Sequence, residues 1–119
     1  MTIKDIEDYI NDKWGGEYIR GYKPYYDSRA GSFGWWPEDV EGAEDKPMIW
    51  ATPNWDDTGD TPFAVDYHDG AYEAFATIKF DDSTPLEYQL RLYFSTLALI
   101  IESVDPTIVV ATTHSELQR

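Results

Sequence analysis

The chain has 119 residues, 23 acidic against nine basic, with a net charge of -14 at pH 7. That is the length of one domain, and so negative a surface opposes binding to nucleic acid phosphates or anionic lipid while favouring capture of something basic. Aromatics at 16% mark a folding composition despite a mean hydropathy of -0.53, and the lack of cysteine excludes disulfides and thiolate metal sites.

Thr2 is placed to cap a first helix, with Asp5 at its third position. Ile3, Ile6, Ile10 and Trp14 then recur at helical spacing until Gly15-Gly16 stops the helix. The opening "MTIKDIEDYI" has no apolar core of the secretory kind, so a cytoplasmic location is expected. "EYIRGYK" (17–23) reads as a strand with Tyr18 and Tyr22 on one face. The segment 24–47 has no usable periodicity and reads as a long acidic and aromatic loop, of the kind compact domains keep only for a purpose. "MIWAT" (48–52) is a short strand ended by Pro53, and "NWDDTGD" is an acidic turn.

"PFAVDYH" and "AYEAFATIKF" flank Asp69-Gly70, a pair suited to a type I′ turn, and predict a hairpin. The register that follows sets Tyr67 against Tyr72, Val65 against Ala74 and Phe63 against Ala76, on the face the hydrophobic alternation also selects. On the other face it sets Asp66 opposite Glu73. Such a like-charged pair is either solvated or a site for a partner's Arg or Lys, or for a cation. Beyond Asp81-Asp82, "TPLE" offers Thr84 as cap, Pro85 at the first helical position and Glu87 to close a capping box. Leu86, Leu90, Tyr93, Leu97, Ile100 or Ile101, and Val104 form the buried stripe of a helix ending before Asp105-Pro106. Its apolar run from Leu92 to Ile101 is about half of what a membrane span needs. "TIVVATT" (107–113) reads as an interior strand. The expected architecture is a single α+β domain: a mainly antiparallel sheet of four or five strands, a short N-terminal helix, and the long later helix packed across the sheet.

Charge is distributed unevenly. From Asp27 to Asp82 there are 14 acidic and three basic residues; the other 63 residues carry nine acids and six bases. A solubility coat would be spread more evenly, so the middle of the chain is expected to present a binding face. Its members are Trp35, Trp36, Glu38, Asp39, Glu41, Glu44, Asp45, Asp56, Asp57 and Asp60, with Asp66 and Glu73 beside them. Adjacent Trp35 and Trp36 in an extended segment point opposite ways, so one ring can plug the core while the other is free for an interface. Aromatic anchors supply buried area and carboxylates supply charge-assisted contacts to Arg and Lys.

No catalytic signature is present. His68 and His114 are the only histidines, with neither a GxSxG serine nor a cysteine to serve. No P-loop, GxGxxG or HExxH occurs. "NWDDTGD" has a glycine at the turn of a calcium loop, but the bidentate glutamate such a loop needs falls on Val65. The expectation is a protein that is not an enzyme and takes no cofactor.

"YQLRLYFSTLALIIESVDPTIVVATT" (88–113) resembles a pattern in immunity proteins of bacterial polymorphic-toxin systems, where a long apolar helix closes on a "DP" or "KP" turn and leads into a strand shaped like "VVTS". The resemblance covers about a quarter of the chain. It implies a small cytoplasmic inhibitor of a cognate toxin, and because toxin-contacting positions vary in those families it names no site residue here. The leading expectation is therefore an acidic inhibitor, a monomer or homodimer, that blocks a basic and nucleic-acid-binding protein such as a nuclease toxin. The alternatives are a phage anti-defence protein (anti-CRISPR or anti-restriction) acting as a DNA mimic, and a carbohydrate- or calcium-binding module.

Overall fold

Thr2 and Asp5 hold each other at the start of helix α1 (Ile3–Trp14). The Thr2 Oγ1 accepts the Asp5 N–H at 3.1 Å, and an Asp5 carboxylate oxygen accepts the Thr2 N–H at 2.8 Å. This capping box satisfies two backbone donors that the first turn would otherwise leave open. Gly15, at φ 62°, closes the helix in the left-handed conformation that glycine adopts without penalty. These coordinates are a computed structural model, which describes residues 2–37, 46–53, 60–67, 70–78 and 83–111.

After α1 come β1 (Lys23–Asp27), β2 (Ser32–Trp36), β3 (Met48–Ala51), β4 (Asp60–Tyr67), β5 (Gly70–Thr77) and the long helix α2 (Leu86–Val104). The strands form one antiparallel sheet in the order β1-β2-β3-β4-β5, each beside its neighbour in sequence. This is an α+β fold. Both helices supply the core on one side of the sheet. Phe33 and Trp35 point from β2 into it: Phe33 meets Phe94 of α2 with ring centroids 5.9 Å apart, and Tyr18 tilts onto Trp35 at 5.0 Å. Tyr9 of α1 stacks on the same Phe94. Ile49, Ala51, Phe63 and Val65 complete the sheet's inner face. Among the described residues, no helix is long and apolar enough to cross a membrane.

Several expectations are corrected. The segment 24–47 is not one long loop, because β1 and β2 pair across a tight turn inside it. The Asp27 Oδ1 accepts the N–H groups of Arg29 and Ala30 at 3.0 and 3.1 Å, mimicking a backbone turn, and Gly31 supplies φ 68°. Residues 17–23 do not form a strand with one buried face. Ile19 alone bridges to Val110, and Tyr18 and Tyr22 are both buried. The stretch 107–111 is not an interior strand of the sheet: within it Val110 alone bridges, to Ile19; residues 112 and 113 lie outside the described part.

The hairpin forms with a different register. Tyr67 pairs with Gly70, Val65 with Tyr72, Ala64 with Glu73 and Asp66 with Ala71. Asp66 and Glu73 therefore do not face each other. Pairing Tyr67 with Gly70 rather than with Tyr72 is a slip of two that changes every partner yet leaves each side chain on its expected face. At the start of α2, Pro85 occupies the cap position without a side-chain cap, and the Thr84 carbonyl accepts the Gln89 side chain at 2.9 Å. The helix ends at Val104, before Asp105-Pro106 as expected.

Candidate functional site: the uncovered face of the sheet

With both helices on one side, the other side of the sheet is finished, among the described residues, by its own side chains. Cross-strand pairing lines them up in rows. One row runs Tyr25, Gly34, Trp50, Ala64, Glu73 from β1 to β5. Gly34 has no room for anything larger. A Cβ there would lie against the Ile49 carbonyl oxygen and 2.8 Å from the Tyr25 ring. Tyr25 thus folds flat over the glycine and buries it, while Trp50, half-buried, lies next to Ala64, which is also buried. Alternating large and minimal residues along one row gives a surface of flat rings.

A neighbouring row begins with Lys23 opposite Trp36, and Met48 pairs with Asp66, which pairs with Ala71. Trp36 is 46% exposed and meets Tyr25 edge-to-face, centroids 5.8 Å apart at 69°. In the third row Pro62 pairs with Phe75, which is 68% exposed. The face therefore combines Trp36, Tyr25, Trp50, Met48 and Phe75 with Asp66 and Glu73, both exposed. Burial, with the nearby Asp27 charge, raises the Tyr25 hydroxyl above its ordinary pKa.

Trp35, included in the expected binding face, is fully buried and cannot touch a partner. The strand's alternation assigns opposite fates to the adjacent indoles: Trp35 joins the core and Trp36 the open face. Of the acidic members, Asp66 and Glu73 lie on that face in different rows. Asp60 is the first residue of β4, and its side chain lies outside the described part, as do Glu38, Asp39, Glu41, Glu44, Asp45, Asp56 and Asp57. Sequence reasoning missed Trp50, Met48 and Phe75. The signal was present, since each falls on the face that alternation reserves for polar residues.

Two other places carry polar groups. At the far end of α2, the Asp105 carboxylate accepts the Tyr67 hydroxyl at 2.9 Å and both the N–H and the hydroxyl of Thr107 at 3.0 and 2.6 Å. Burial by itself would raise the Asp105 pKa, but these hydrogen bonds outweigh it and hold the carboxyl below its usual range. Burial and the same carboxylate push the Tyr67 hydroxyl up to about 12. Between α1 and the start of α2 lies an open cleft of about 730 Å³ lined by Asp5, Asp8, Asp12, Glu87 and Lys13. Its acids are partly engaged: Asp5 caps α1 and Asp8 pairs with Lys4 at 2.6 Å. Among the described residues, no three His, Cys, Asp or Glu side chains gather to hold a metal ion.

No family model, curated protein or solved structure matches this chain.

Proposed function

We propose that this protein is a small acidic inhibitor whose uncovered sheet face docks on a basic, nucleic-acid-binding protein and blocks it. The form that fits best is a cytoplasmic immunity protein that neutralises a cognate bacterial toxin, a nuclease. No bond is made or broken. One observation carries the reading: Trp36 stands exposed on an aromatic face at the point where the chain enters its densest acidic stretch, with Glu38 two residues further on. An exposed indole braced by Tyr25 gives an anchor with little conformational freedom to lose. Carboxylates joined to that end of the sheet give charge-assisted contacts and long-range steering toward a cationic groove. A phage anti-defence protein acting as a DNA mimic would use the same contact.

The test is capture from host lysate with immobilised wild-type protein. The expected catch is a basic protein with nuclease activity that free wild-type protein abolishes. Its association rate falls steeply with added salt, and Trp36→Ala weakens the complex. A catch without basic character, or binding indifferent to salt and to Trp36, would overturn the proposal. The flat rings also suit a sugar, and retention on a glycan column that Trp36→Ala abolishes would favour a carbohydrate-binding module instead.

A further inference from the structure

Helix α2 is apolar on the side that faces away from the core as well as on the side that builds it. Leu90, Tyr93, Leu97 and Ile101 are buried against the sheet. At 100° per residue, Tyr88, Leu92 and Leu99 fall within an arc of about 40° on the opposite side. They are 55%, 38% and 62% exposed. The helix has only three charged residues, Glu87, Arg91 and Glu102, and all three project from one flank between the two stripes. Glu102 is in addition turned inward, accepting the Val110 N–H at 3.3 Å. A solvent-facing helix surface without charge is unexpected in a chain carrying 23 carboxylates.

We propose that this outer face of α2 is where two copies of the chain meet. Charge selects the occupant. A basic partner would find no carboxylate on this stripe, whereas two copies at -14 each can approach only where their surfaces carry no charge. The stripe is also self-complementary. Antiparallel pairing about a two-fold axis between Ser95 and Thr96 sets Leu92 against Leu99 of the second copy and Tyr88 against Ser103 of the second copy. Small side chains at the crossing let the helices come close. The aromatic sheet face lies on the other side of the molecule and stays open, so the dimer is independent of the inhibitor reading and would present two docking faces.

Sedimentation equilibrium of the full chain tests this. The expected result is a mass rising with concentration from 13.7 kDa toward twice that value, with tighter association at higher salt as the repulsion is screened. Leu99→Glu weakens the dimer at least about tenfold, while the melting temperature measured at concentrations low enough to leave only monomer is unchanged, since the side chain is mostly exposed there. The chain has no cysteine, so a Leu92→Cys/Leu99→Cys variant should cross-link between copies under mild oxidation. A single 13.7 kDa species at all concentrations and salts, or a dimer unaffected by Leu99→Glu, would overturn the proposal. The salt response separates the two readings, because inhibitor docking weakens with salt where self-association strengthens.

Discussion

The Tyr67 hydroxyl donates to the Asp105 carboxylate at 2.9 Å, tying the last residue of β4 to the turn that ends α2. With Thr107 also donating twice to Asp105, this junction fixes where the helix stops and where the chain turns back toward Tyr18. Its pH dependence follows from the lowered pKa of Asp105. The charged carboxylate is favoured in the folded state, so its contribution is complete above the ordinary value of 3.8 and is lost as pH falls through the lower folded value. Asp105→Asn should cost roughly 1 kcal/mol near neutral pH. The gap between variant and wild type should shrink in acid, as measured by urea unfolding across pH. A gap that stays constant into strong acid would show that charge plays no part.

Gly34 supports the candidate face by its lack of a side chain. Gly34→Ala should destabilise by on the order of 1–3 kcal/mol, because the added Cβ meets the Ile49 carbonyl and the Tyr25 ring together. Combining it with Tyr25→Ala should recover only part of the loss, since the backbone contact remains. Thermal melts of the two single variants and the double variant report this directly.

The two adjacent indoles should separate cleanly. Trp35→Ala opens a cavity in the core and should cost about 3–5 kcal/mol, enough to unfold much of the population. Trp36→Ala should leave the melting temperature within a few degrees of wild type and act on binding alone. Equal losses of stability in both would contradict the assignment of the rings to opposite faces.

Thr61 is fully buried at the start of β4, and its hydroxyl has no hydrogen-bond partner among the described residues. Thr61→Val keeps the shape and removes the stranded polar atom, so it should stabilise by about 1 kcal/mol. A shift of the denaturation midpoint with unchanged slope is the expected readout.

What could be read from the sequence depended on how local its cause was. The first helix was legible because Thr2, Asp5 and Gly15 carry its start and stop within one stretch of chain. The β4–β5 hairpin was legible in its faces and not in its register. Alternation fixes which side a residue occupies, but Tyr67 could pair with Gly70 or with Tyr72, and the chemistry of Asp69-Gly70 favoured the wrong one. The β1–β2 hairpin was hidden because Tyr25, Tyr26, Trp35 and Trp36 place rings on both sides, which erases the alternation a half-buried strand normally shows. Trp50 and Phe75 escaped notice for a different reason: each sits at a position on the face that ordinarily carries polar residues, so the alternation alone did not single them out as members of the open face. No local pattern could show that Ile19 and Val110 would meet, since that contact depends on the whole sheet being in place.

That bridge has a kinetic consequence. The Tyr18 carbonyl accepts the Ala111 N–H, and the Arg20 N–H reaches the Val109 carbonyl, both at 2.9 Å. Every strand of the meander can pair as soon as its neighbour has been synthesised, but this clasp waits until residue 111 has left the ribosome. A nascent chain stalled before that point would hold a finished sheet with the Tyr18 carbonyl and the Arg20 N–H still bonded to water, so this seam is the last part of the fold to close.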